Sequence, residues 1–212
     1  MIQTQLFDKY VDEYEAWYES YHEVYLSEIE ALREQFRKLP QDIRGIEVGL
    51  GTGRFSEPLG IKEGIEPSEA MAQKATKRGI EVMKAKAERL PYADLSFDFV
   101  LFVTICHLEN LTYAIKQAHR VLKEDGAIIV GFLDKNREIA KHYQEKRSRS
   151  TFYRNARFYN VHHIENLLLE NGFKDLEFNQ TLFGDLDEIK EIQLPKPGYG
   201  KGSFVVVRAT KK

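Results

Sequence analysis

The run Ile46-Glu47-Val48-Gly49-Leu50-Gly51-Thr52-Gly53 constrains this chain more than any other stretch. It reads as a short buried strand that enters a glycine-rich turn and then a helix. Three glycines at alternate positions let the backbone bend sharply and let a ligand lie against bare main chain, where a Cβ would stand in the way. Amides of the turn and of the following helix then face that ligand. A dinucleotide fingerprint, G-x-G-x-x-G, needs its third glycine one place further on, where this chain has Arg54. The pattern here is G-x-G-x-G with Glu47 two places ahead of it, which disfavours a dinucleotide oxidoreductase.

From Ile43 onward, strands and helices alternate. Strands are expected at Ile43 to Val48, Glu63 to Glu66, Ile80 to Ala85, Phe97 to Thr104 and Ala127 to Leu133, with helices between them. Ser68 is placed to cap one of those helices. Such alternation implies a Rossmann-like, doubly wound α/β fold with a parallel sheet and right-handed crossovers. Ahead of it, Phe7 to Lys38 reads as helix, with an aromatic stripe through Tyr10, Tyr14, Trp17, Tyr18, Tyr21 and Tyr25 that ends before Pro40. After Leu133 come a basic helical segment, a loop, a helix from Val161 to Asn171 and two closing strands.

With 212 residues and 42% hydrophobic side chains, the chain is read as a single domain. A lone Cys106 rules out a disulfide framework, and the polar first residues do not resemble a signal peptide. The apolar run Phe99 to Cys106 falls far short of the ~20 residues that span a bilayer. A cytoplasmic protein without membrane contact is expected. The net charge of −2 gives no overall pull toward nucleic acid, but the charges are unevenly placed. Asp8 to Glu30 carries eight acids against Lys9, and Lys135 to Arg157 carries eight bases against two acids. These are either two solvated faces or two complementary covers over one site. Nucleic acid remains open only through the basic segment, whose Phe152 to Tyr159 mixes arginine with aromatics.

Glu66 lies nineteen residues after Glu47, at the expected end of the second strand. That is close to the ~20-residue interval at which an acid meets a nucleotide ribose, where a carboxylate can accept from both hydroxyls. Downstream, Lys86-Ala87-Glu88-Arg89-Leu90-Pro91-Tyr92-Ala93-Asp94-Leu95-Ser96-Phe97-Asp98 resembles the D-A-E-x-L-P-F-x-D-x-S-F-D run of the type 11 group of class I S-adenosylmethionine-dependent methyltransferases. His119 to Gly126 is similar to that group's R-V-L-K-P-G-G turn, and Phe7-Asp8 with Tyr14-Glu15-Ala16-Trp17 to its F-D…Y-D-x-W opening.

The resemblance implies S-adenosylmethionine as cofactor, S-adenosylhomocysteine as product, and a mostly parallel seven-stranded sheet with an antiparallel last strand and an N-terminal helical cap. It implies that Glu47, Gly49, Gly51 and Gly53 hold the methionine moiety and Glu66 the ribose. Pro67, Met71, Ala87 and Glu88 would surround the adenine, while Thr104 would line the methyl-transfer site. Lys86 stands where the group often has Asp, so no acid-to-amine contact is expected there. Residues 1–40 would form the cap, 41–133 the cofactor-binding core, 134–160 a lid insertion and 161–212 the closing helix and strand pair. Tyr14 and Tyr18 are the stripe aromatics expected at the reacting sulfonium, whose charge an aromatic face tolerates. His107, just beyond the fourth strand, is the candidate general base, with a near-neutral titration range. No metal-ligand spacing is present. The partner expected is a small-molecule methyl acceptor, and the assembly a monomer or homodimer. An RNA or protein methyltransferase and a non-catalytic cofactor-binding module are the alternatives.

Overall fold

A computed structural model describes residues 3–212. The expected single N-terminal helix is three: α1 (Gln3–Lys9), α2 (Val11–Ser20) and α3 (His22–Phe36). Tyr10 and Tyr21 interrupt it, with φ of −117° and −120°. One straight helix over that stretch would run to roughly 48 Å at ~1.5 Å per residue, too long to keep one apolar stripe against a domain this small. The two breaks let the stripe wrap the sheet instead.

The core follows as β1 (Gly45–Val48), α4 (Ser56–Leu59), β2 (Glu63–Ile65), α5 (Glu69–Lys77), β3 (Glu81–Met83), β4 (Phe97–Val103), α6 (Leu111–Val121) and β5 (Leu122–Leu133). Then come α7 (Glu138–Glu145), α8 (Val161–Glu170), β6 (Phe173–Thr181), β7 (Lys196–Pro197) and β8 (Phe204–Lys211). All strands join one sheet in the order β3-β2-β1-β4-β5-β8-β6-β7. β1 to β5 are mutually parallel, while β8 runs antiparallel between β5 and β6. The sheet therefore has eight strands rather than the expected seven. The addition is the two-residue β7, paired to β6 through Asn179 and Gln180. Pro197 hid it, because a residue without an N–H fits only at an edge and leaves no strand pattern to read.

β4 shows why its sequence lacks polar alternation. Phe97, Val100 and Phe102 pack on the side of α6 and α8, while Phe99, Leu101 and Val103 pack on the side of α3 and α7. Both faces are covered, as parallel strands require. On β8, Val205, Val207 and Ala209 likewise face one layer and Phe204 and Val206 the other. Chain order reverses between β1 and β4, which are neighbours in the sheet. Beyond the carboxyl ends of those strands lies the crevice where open α/β sheets bind ligands.

Candidate active site

β1 delivers the chain into the turn with Gly49, Gly51 and Gly53 at φ of 74°, 57° and 81°, a region that L side chains avoid. The Gly49 and Leu50 amides both donate to the Ile65 carbonyl, at 2.9 and 3.1 Å, which ties the turn to β2. Gly53 turns away from the crevice. A Cβ there would stand 2.4 Å from Ile80 Cδ1 and 3.3 Å from Ala75 Cβ, so this glycine lets α5 and Ile80, just ahead of β3, pack against the turn.

Glu47 also points away from the crevice. Its buried carboxyl accepts a hydrogen bond from Ser56 Oγ, and burial pushes it up to about 8 against the pull of that bond. Its side chain thus props the helix after the turn rather than lining the crevice.

Glu66 stands at the end of β2, 7% exposed, with one carboxylate oxygen accepting from Gly51 N at 2.9 Å and the other from Ser68 N at 2.8 Å. Burial pushes it up to about 7; the two amide bonds oppose this and Asp8 adds to it. The carboxylate is therefore locked to the glycine turn while its free lone pairs face the crevice. Ser68 caps α5, its Oγ accepting from Met71 N at 3.3 Å. Asp8 of α1 accepts from Ser68 Oγ at 2.6 Å and from Ala70 N at 3.1 Å, fastening the cap to the amino end of α5.

These residues border a cleft with Gly49, Gly51, Glu66, Pro67, Met71, Ala87, Glu88, Thr104 and Tyr14 on its walls. Of the expected cofactor residues, only Glu47 and Gly53 are not brought to it. Met71 and Ala87 are buried and supply an apolar floor. Glu88 accepts from Asn110 N at 2.9 Å, at the start of α6, and Lys86 pairs with Glu109 at 2.7 Å. A Cβ added at Gly49 would meet nothing within 4 Å, and one at Gly51 would come 3.3 Å from the Tyr14 hydroxyl. The turn thus presents bare backbone to open space on one side and to Tyr14 on the other.

Thr104 closes β4 in a left-handed conformation, φ 59°, which costs a β-branched side chain on the order of 1–3 kcal/mol. Its amide donates to Gly131 O at 3.0 Å, and the chain then makes a single 3₁₀ turn, Ile105–His107. That turn separates the cleft from a second chamber, walled by residues of α2, α3, α7 and the 134–160 segment. Phe7, Tyr14, Thr104, Ile105 and His107 face both. Tyr18 belongs to the second chamber alone, its hydroxyl 2.7 Å from that of Tyr14.

His107 meets Phe7 edge-on at 5.1 Å and stacks on Tyr153 at 5.7 Å. Burial pushes it down to about 4, which corrects the near-neutral range expected of a general base. The phenols of Tyr14 and Tyr18 are raised, mainly by burial, and stay neutral. No group of His, Cys, Asp and Glu among the described residues could hold a metal.

The uneven charges do not meet across the site. No ion pair among the described residues joins the acidic stretch to the basic one. Glu15 instead takes Arg54 and Arg78, both at 2.8 Å, and Glu19 takes Arg54 at 2.7 Å, while Arg78 Nε donates to Thr52 O. The cap is thereby bolted to the glycine turn. In the basic segment Arg147 donates to the carbonyls of Arg154 and Ala156, tying that loop to itself.

Known proteins resemble this chain along its length. A family model, Methyltransf_11, described as "Methyltransferase domain", matches residues 46–130. A Thermotoga maritima structure described as a "SAM-dependent methyltransferase, possible histamine N-methyltransferase" is 44% identical, covers 99% of this chain and 100% of that one, and superposes with a TM-score of 0.93. This chain belongs to the class I S-adenosylmethionine-dependent methyltransferases. A Methanocaldococcus jannaschii protein matches this methyltransferase at 43% identity over 207 residues, 97% of this chain and 98% of that one. A Haemonchus contortus N-methyltransferase complex containing S-adenosylhomocysteine shares the fold alone, at 17% identity and TM-score 0.64, over 85% of this chain and 51% of that one.

The cofactor of this methyltransferase is S-adenosylmethionine, and the cleft suits it on its own chemistry. It offers bare backbone at Gly49 and Gly51, a carboxylate with spare lone pairs and an apolar floor. Several lining groups went unread in the sequence, among them Tyr143 and Ile139 of the chamber. Thr4 and Leu108 of the cleft leave no signal. Phe152 of the chamber was read only as one of the aromatics of the lid segment. Glu28 of the chamber had a signal, an acid spaced seven residues after Tyr21 and three after Tyr25 on the apolar stripe.

Proposed function

We propose that this methyltransferase acts on a small organic molecule held in the second chamber. The observation that carries the reading is the shared wall. Tyr14, Thr104 and His107 border both spaces, so a cofactor in the cleft and an acceptor in the chamber would meet there. The chamber is walled by Trp17, Tyr18, Tyr143, Phe152 and Tyr153, which fits a compact, largely apolar guest. The Thermotoga maritima relative's description names an amine of that size class, which supports the same choice.

Bound S-adenosylmethionine supplies an electrophilic methyl group on a sulfonium. The chain's work is then to grip and to align. Glu66 is assigned the ribose hydroxyls, Gly49 and Gly51 the methionine moiety, and Pro67, Met71, Ala87 and Glu88 the adenine. Glu47 and Gly53 act from behind, one propping the turn through Ser56 and the other admitting Ala75 and Ile80. The Tyr14 ring, next to Gly51, is placed to face the sulfonium, and Tyr18 fixes its hydroxyl. Tyr18 and His107 touch the acceptor.

With its range near 4, His107 is a weak base at neutral pH. It orients a nucleophile that arrives with a free lone pair, and the displacement draws its acceleration from positioning. A proton carried by the acceptor leaves to water after transfer. Residues 3–40 act as the cap, the first two of the expected 1–40 lying outside the described residues, 41–133 as the cofactor core, 134–160 as the lid over the chamber and 161–212 as the closing layer. A cytoplasmic setting fits the single buried Cys106, and no described helix is long and apolar enough to cross a membrane. Turnover of S-adenosylmethionine to S-adenosylhomocysteine, followed over a panel of small acceptors and bulk tRNA, tests the reading. Acceptor-dependent turnover with small molecules is expected, and turnover with tRNA alone would contradict it.

A further inference from the structure

The second chamber holds a buried carboxyl for which methyl transfer gives no role. Glu28 of α3 sits on the face that otherwise buries Val24, Leu32 and Tyr25, is 7% exposed, and lines the chamber. Among the described residues its carboxyl makes no hydrogen bond and no ion pair. A carboxyl removed from water without a partner is costly to keep.

Its surroundings define what would suit it. Trp17, Tyr18, Tyr143 and Tyr153 line the same chamber. Titratable groups face Glu28 from each packed element: Tyr18 of α2, Tyr25 of its own helix, Tyr143 of α7 and Tyr153 of the 3₁₀ turn Tyr153–Asn155. Burial raises all four phenols, which stay neutral. Elsewhere on the wall, burial pushes Cys106 up to about 12 and His107 down to about 4. Burial also pushes Glu28 up to about 8, so it is the wall's one acid that gains charge near neutral pH. The one permanent cation among the described lining residues, Arg157, is exposed.

We propose that Glu28 selects the acceptor, pairing with a protonated nitrogen at one end of a small amine whose other, uncharged end presents the methylated atom at the wall shared with the cleft. The proposal rests on the small-molecule reading above. A carboxylate set among aromatic side chains favours an organic cation over a neutral or anionic guest. Glu28 borders the chamber only and is not on the shared wall, which separates the paired nitrogen from the reacting atom. The chemistry demands the same separation, since a protonated nitrogen has no lone pair with which to attack. Pairing ionises Glu28, and its proton passes to the buffer.

The test is calorimetry on the protein saturated with S-adenosylhomocysteine, near pH 7, in two buffers of different ionisation enthalpy. Tryptamine, tyramine and phenethylamine are compared with the alcohols in which hydroxyl replaces the ammonium. The amines are expected to bind at least about tenfold more tightly, each with release of close to one proton. Glu28→Gln is expected to abolish both the preference and the release while S-adenosylhomocysteine still binds. If Glu28→Gln folds poorly, Glu28→Asp keeps the charge with a shorter reach and should retain proton release with a reduced preference. A preference that survives Glu28→Gln, or no amine binding better than its alcohol, overturns the proposal. Wild-type protein that fails to bind S-adenosylhomocysteine would instead remove the functional reading beneath it.

Discussion

Replacing Glu66 by Ala should damage cofactor binding far more than folding. The carboxylate accepts from Gly51 N and Ser68 N, so Ala leaves two amide donors short of partners, at about 1–3 kcal/mol each if no water reaches them. Against that cost, the variant no longer buries a carboxyl that burial has pushed up to about 7, so the two effects partly cancel in stability. Binding has no such compensation. Two ribose hydroxyls donating to a carboxylate contribute about 1.5–3 kcal/mol each. Because the backbone amides already draw on that carboxylate, the lower end applies. A loss of about 3 kcal/mol weakens S-adenosylhomocysteine binding by roughly 100-fold. Titration calorimetry reads the affinity, while circular dichroism and a cooperative melt show that the fold is kept. A folded Glu66→Ala protein within about threefold of wild-type affinity would refute the ribose assignment.

Further outcomes follow from the same geometry. Ribose donors favour the ionised carboxylate, so wild-type affinity for S-adenosylhomocysteine should fall as pH drops through about 7, and Glu66→Gln should flatten that profile. Gly53→Ala places a methyl 2.4 Å from Ile80 Cδ1 at a φ of 81°, and should cost about 2 kcal/mol in a denaturant titration, whereas Gly60→Ala, with open space around it, should cost about half as much or less. Asp8→Ala removes the tie from the cap to Ser68 and Ala70; stopped-flow release of S-adenosylhomocysteine should quicken several-fold, and an unchanged rate would free the cap of any gating role. Burial raises Glu28 from 4.5 to about 8, so the folded state keeps a proton that the unfolded chain has lost. Its contribution to stability is complete below about pH 4.5 and is lost as pH rises through about 8; in thermal melts, Glu28→Gln should therefore lose less stability than wild type between about pH 6 and pH 9.

Local chemistry explains what was legible in the sequence. The glycine turn, the Ser68 cap and the buried run of β4 each depend on backbone needs or periodicity, and each was found within a residue or two of its expected place. Glu66 was placed at the cleft by its spacing and its strand-end position, because β1 and β2 are adjacent and parallel and so bring residues at their ends side by side. Side-chain direction was not legible. Glu47 faces Ser56, and Gly53 faces Ala75 and Ile80, because packing between elements distant in sequence decides which way a turn residue looks. The titration of His107 was misread for a related reason, since the rings of Phe7 and Tyr153 that bury it come from both ends of the chain. The breaks at Tyr10 and Tyr21 carry no glycine or proline, so the helical period ran through them unmarked.

A crystal structure with S-adenosylhomocysteine tests the central claim most directly, because it places the ribose and the sulfur at once. The account predicts both ribose hydroxyls within hydrogen-bond reach of Glu66 and the sulfur beside Tyr14 and Thr104, opening toward the chamber that holds Glu28. A nucleoside seated away from Glu66, or a sulfur turned from that chamber, would contradict it.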